Sequence, residues 1–118
     1  GKVLAHPASV DSIPTSGNQE DHVSMGSVSA YKGRRVVENI TWVIAAELLA
    51  SARAMRFMTH RAGRGSGAAY RLICGQVPQV EGDSILYKDL QAVYKIIKNG
   101  GLVRTVEEAV GEMWPPSA

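Results

Sequence analysis

The residues best suited to chemistry lie close together near the start of the chain. Positions 6–26 read His6-Pro7-Ala8-Ser9-Val10-Asp11-Ser12-Ile13-Pro14-Thr15-Ser16-Gly17-Asn18-Gln19-Glu20-Asp21-His22-Val23-Ser24-Met25-Gly26. Carboxylates, amides, hydroxyls and two imidazoles there could hold a polar substrate and move protons. His6, Glu20, Asp21 and His22 include metal-ligand types, but their spacing matches no standard site, and no metal is expected. The same residues also suit a cap-rich loop. Ser16 with Gln19, or Asn18 with Asp21, has the spacing of a helix cap, and Glu20 would then fall in the first helical turn, facing the positive end of the dipole.

Two other clusters carry less. Gly63, Gly65 and Gly67 form G-x-G-x-G, with neither a strand before them nor a Gly-Lys-Ser/Thr after, so they are expected to end a helix rather than hold phosphate. Arg53, Arg56, His60, Arg61 and Arg64 are basic, with Arg53, Arg56 and His60 expected on one helical face. Without interleaved aromatics, that cluster is expected to be solvated or paired with acids and not to contact nucleic acid.

The elements that must position these groups are helical. Residues 1–26 are punctuated by Pro7, Pro14, Gly17 and Gly26 and read as irregular backbone, a loop longer than a plain connector needs. From about 28 to 60, Val37, Ile40, Ile44, Leu48, Met55 and Met58 recur at helical spacing. The other side of that helix is hardly polar, with Val36, Val43, Ala46, Ala50, Ala54 and Phe57, so it calls for burial nearly all round. Some 30 helical residues rise roughly 45 Å, whereas a domain of this length is only about 35 Å across. The helix therefore needs partner surface. A short helix is expected over 68–76, closed by Pro78. Another, capped by Asp83 or Ser84, is expected to run to Lys98 with Leu86, Leu90, Val93 and Ile97 on its apolar side and Gly100 as its stop. A last helix is expected to open on a Thr105–Glu108 capping box and run to about Met113, before Pro115 and Pro116. No alternating strand pattern occurs, so the expected class is all-α: a long central helix with shorter ones.

Bulk properties agree. The chain has 118 residues, 45% hydrophobic and 20% charged, with a net charge of +2. That length suits one domain. That charge argues against nucleic acid or a membrane surface as partner. The longest uncharged apolar run, 40–46, is far short of the roughly 20 residues of a membrane span. A lone Cys74 points to a reducing compartment, hence the cytoplasm, and is itself expected to be a buried small residue on a helix.

The loop closely resembles a signature of the aromatic amino acid ammonia-lyase family, in its histidine ammonia-lyase form: HPASVDSIPTS, one or two variable residues, then QEDHVSM. The match covers residues 6–25 with almost no departure. Later similarity is looser: the long apolar helix, Tyr70-Arg71-Leu72, Val77-Pro78 and Leu86-Tyr87-Lys88-Asp89-Leu90. The resemblance implies the C-terminal part of a helical-bundle lyase. Residues 1–26 would be an active-site loop, 27–62 a long bundle helix and 63–118 short helices. It implies a homotetramer whose sites draw on several subunits, and elimination of ammonia from L-histidine to give urocanate. Gln19 and Glu20 would contact substrate, Glu20 as the catalytic group near its imidazole or amine. Phenylalanine ammonia-lyases carry an Asn-Gln pair at these places, so the acidic Glu20 favours histidine. Tyrosine ammonia-lyases and aminomutases share a similar QEDHVS run, and a non-catalytic assembly module is a further alternative.

The family's electrophile is a methylidene-imidazolone made from an internal Ala-Ser-Gly, and this sequence contains none. Its nearest strings are Ala8-Ser9-Val10, Ala50-Ser51-Ala52 and Gly65-Ser66-Gly67. The electrophile and the missing N-terminal portion of the enzyme are thus expected on other sequence, and this chain is expected to be an incomplete enzyme. Purified alone, it should release no ammonia from histidine and form no urocanate. Measurable release by a coupled ammonia assay would contradict the argument.

Overall fold

A computed structural model describes residues 1–8, 13, 15–19, 25–78 and 85–113. Among these the architecture is all-α, with no strand. The helices are α1 (Lys2–Ala5), α2 (Gly26–Ala54), α3 (Arg64–Gln76), α4 (Leu86–Lys98) and α5 (Gly101–Val110). The chain divides into two compact units, Gly1–Ile40 and Thr41–Ala118.

In the second unit the core is small. Ala45, Leu49 and Ala52 of α2 meet Ile73 of α3, Val77 just beyond it and Val93 of α4. Leu48, Tyr70, Leu90, Ala92, Tyr94 and Ile97 pack around them. Trp42 of α2 stacks on Tyr94 of α4 with ring centroids 4.0 Å apart. α3 packs mainly on α5, and α4 touches both. Across 41–52 the buried residues of α2 follow helical spacing: Thr41, Ala45, Leu49 and Ala52. Only that side is covered. Val37 is 62% exposed, Ile40 51%, Val43 58% and Ile44 39%. Among the described residues much of this helix's apolar surface is left open.

Several expected boundaries move. α2 ends at Ala54 and tightens into a 3-10 turn over Met55–Phe57, after which Met58 is extended. His60 is therefore not helical, and it does not share a helix face with Arg53 and Arg56. Gly65 and Gly67 do not end the long helix; they lie inside α3, which starts at Arg64 with Gly63 as its N-cap. Gly65 allows a close approach. A Cβ on Gly65 would stand 3.3 Å from Val110 Cγ1 and 3.4 Å from Val106 Cγ1 of α5. At the same junction the Arg64 guanidinium donates to the Ala109 carbonyl. Asp83 and Ser84, expected to cap α4, lie outside the described residues.

The Thr105–Glu108 capping box is also overturned, since both residues lie inside α5. The helix starts earlier because α4 and α5 are joined by a two-residue reversal. Gly100 adopts φ 72, the left-handed conformation glycine tolerates, and it both stops α4 and precedes α5. The Asn99 side chain accepts the Gly101 N–H at 2.9 Å, and the Arg104 guanidinium donates to the Asn99 carbonyl at 2.9 Å. At the far end Gly111, with φ 94, stops α5 short of Met113.

One ion pair ties α2 to α4. Arg53 Nη2 donates to Asp89 Oδ2 at 2.9 Å, with side-chain exposures of 33% and 11%. Both charges suit their helices: Arg53 lies in the last turn of α2 and Asp89 in the first turn of α4. Removing either partner breaks this bond. Discounting the roughly 3–5 kcal/mol of a fully buried pair for the solvent that reaches Arg53, Asp89→Ala should cost about 2–3 kcal/mol. Urea melts of Asp89→Ala, Arg53→Ala and the double variant check this. The double variant should lose clearly less than the sum of the single losses.

Candidate active site

The candidate loop belongs to the first unit. Its opening helix α1 is a single turn, and His6 leaves it extended, with ψ 130, as a residue before proline should. His6 is exposed. Thr15 is extended at φ −122, ψ 156, and a tight turn follows over Ser16–Asn18. Ser16 (φ 48) and Gly17 (φ 65) are consecutive left-handed residues. Glycine tolerates this conformation; serine holds it at a cost. The Gln19 N–H closes the turn on the Ser16 carbonyl at 3.3 Å. Gln19 is exposed, so its amide is open to a ligand.

Glu20, Asp21 and His22 lie outside the described residues, as do Ser9, Asp11 and Ser12. The structure therefore describes Gln19 and His6 but not how either relates to Glu20. The cap reading of this segment is corrected. α2 begins at Gly26, and no acid lies in its first turn. Glu20 precedes the helix by six positions, so Ser16 with Gln19, and Asn18 with Asp21, come too early to cap it.

The serines of the near-matches to Ala-Ser-Gly that can be described are helical. Ser51 lies within α2 and Ser66 within α3. Closing an imidazolone ring from three consecutive residues would break the helical backbone at either place, so neither fits as a source of the electrophile.

Elsewhere among the described residues one titratable group is shifted. The Tyr70 hydroxyl is hydrogen-bonded to the Cys74 side chain one helical turn on. That bond, with the negative charge of the ionised thiol, raises the tyrosine above its ordinary pKa, while Arg56 opposes the rise. Cys74 lies on α3 as expected, but it is half-buried rather than buried. Sequence reasoning missed this pair, although its i, i+4 spacing was legible. It also grouped Arg53 with the basic residues without naming Asp89 as its partner.

The family model described as aromatic amino acid lyase matches residues 1–74. The chain belongs to that family. Among curated proteins it is 48% identical over 113 residues to "Histidine ammonia-lyase" of Symbiobacterium thermophilum, covering 95% of this chain and 22% of the relative. It is 46% identical over 108 residues to "Histidine ammonia-lyase" of Caldanaerobacter subterraneus subsp. tengcongensis, covering 91% and 21%. It is 47% identical over 111 residues to "Histidine ammonia-lyase 2" of Fusobacterium nucleatum, covering 93% and 22%. The chain thus spans about one-fifth of the length of these relatives. No solved structure matches the chain. Among the described residues no helix is long and apolar enough to cross a membrane.

A raised folded-state pKa means that the fold favours neutral Tyr70. That contribution is complete below the ordinary tyrosine value of about 10 and is lost as pH climbs through the raised value. In a spectrophotometric titration of the 4 tyrosines, Tyr70 should ionise after an exposed tyrosine. Cys74→Ala should bring it back to the ordinary range. An unchanged profile would remove the hydrogen bond as the cause.

Proposed function

We propose that this chain is the C-terminal part of a histidine ammonia-lyase, a carbon–nitrogen lyase that eliminates ammonia from L-histidine to give urocanate in histidine catabolism. The observation that carries this reading is 48% identity to a histidine ammonia-lyase along 95% of the chain. The organisation proposed is an active-site loop over 1–26, a bundle helix over 27–62 and short helices over 63–118. The enzyme is a cytoplasmic homotetramer. Its methylidene-imidazolone, which supplies the electrophile, forms from an Ala-Ser-Gly in the preceding part of the same polypeptide.

This chain's share of the chemistry is recognition. Gln19 offers an amide donor and acceptor at the end of a tight turn, on a side chain that is exposed. Glu20, the next residue, supplies a carboxylate that pairs with the substrate's imidazole or ammonium group through a charge-assisted hydrogen bond. A carboxylate there can take up a proton from the imidazole, which an amide, whose oxygen only accepts a hydrogen bond, cannot do.

Two expectations follow. In the complete enzyme Glu20→Gln should lower turnover of histidine by roughly 100-fold or more, while Asp21→Asn should lose far less. Equal, mild losses in steady-state kinetics would take Glu20 out of the site. Self-association is expected through the open side of α2. Ile44 is exposed there, whereas Leu48 is tied into the core, so Ile44→Glu is the cleaner probe. By light scattering at tens of micromolar, the wild-type chain should be a dimer or tetramer and Ile44→Glu a folded monomer. A wild-type monomer would show that the chain covers its own helix.

A further inference from the structure

The second unit has an open apolar cleft of about 270 Å³ lined by Ala46, Leu49, Ala50 and Arg53 of α2 and by Leu86 and Leu90 of α4. Its one charged side chain, Arg53, is bonded to Asp89. The volume lies below the roughly 300–1,000 Å³ of small-molecule sites, and no set of polar groups converges there to orient a metabolite. The cleft suits an apolar side chain. Ala46 and Ala50 form a shallow wall that lets a neighbouring helix axis come within about 8 Å. Ile85 and Leu86, exposed at the start of α4, stand beside it.

A second copy seated on Ile44 would not cover this place. At 3.6 residues per turn Ala46 and Ala50 lie about 120–160° round α2 from Ile44, more than a single packed helix spans. Two sides of α2 therefore need two covers. The chain is about one-fifth of its relatives' length, so most of such a polypeptide lies outside these residues. We infer that the cleft between α2 and α4 seats an apolar helix from the preceding part of the same polypeptide, with a Leu- or Ile-sized side chain between Ala50 and Leu86. This rests on the proposal that a longer lyase polypeptide carries the chain.

The test uses the complete polypeptide with the photo-crosslinking residue benzoylphenylalanine at Ala50, and separately at Leu86 in case the first position disturbs packing. Irradiation should leave the subunit mass unchanged on a denaturing gel. Peptide mass spectrometry should then join both positions to one segment preceding residue 1. The same probe at Ile44 should double the subunit mass. Doubling from Ala50 and Leu86 would assign the cleft to a second copy and overturn the inference. The absence of a crosslink at both would mean that the cleft faces solvent, with the same consequence. Native protein of 12.7 kDa intact mass would overturn the longer-polypeptide reading itself, a result separate from either crosslinking outcome.

Discussion

A long helix whose apolar stretch over 41–52 is covered on one side by the described residues is the constraint on which the rest of this structure depends. Between Thr41 and Ala52 the single charge is Glu47. α3 and α4 bury the side marked by Ala45, Leu49 and Ala52, and Val93 fills the centre of that contact. Burying side chains of Val or Leu size yields about 1.5–3 kcal/mol each, so the covered side holds the second unit together. Val43 and Ile44, left exposed, represent the same kind of energy not yet realised. Soluble monomers rarely leave contiguous apolar patches beyond a few hundred Å².

The devices around the core hold the shorter helices against α2. Arg53 reaches from its last turn to Asp89, placing one paired charge where an unpaired one would be costly. Gly65 removes a side chain where α5 comes closest to α3. Gly100 and Asn99 reverse the chain between α4 and α5 within two residues.

Much of this was legible in the sequence. Apolar period with Gly, Pro and cap signals identified four of the five described α-helices and the class; α1 fell in a stretch read as irregular backbone. The extended match over residues 6–25, not composition, identified the family. On α4 the apolar spacing named Val93 and Ile97 correctly but also Leu86, which is exposed. The errors share a cause, which is that local signals have more than one tertiary use. Three glycines looked like a helix end, but Gly63 precedes α3, Gly65 and Gly67 lie inside it, and Gly65 allows the close crossing with α5. Thr105 and Glu108 had capping spacing but lay inside a helix whose start was set by Gly100. Glu20 was placed on a helix that begins only at Gly26. Asp89 sits among the apolar positions of α4, a signal that a buried carboxylate needed a partner and that Arg53 could have answered. For the proposed site the sequence named Gln19 and Glu20; Gln19 is exposed, and Glu20 lies outside the described residues.

The most direct test of the central claim is amide hydrogen exchange along α2, compared between this chain and the complete polypeptide. If the open sides of α2 are covered only by surface outside these residues, the amides of 36–54 should exchange at least about 10-fold more slowly in the complete protein, a gain of roughly 1.4 kcal/mol in the opening free energy. Equal protection in both would contradict the account, since the 118 residues would then supply all the burial that helix requires.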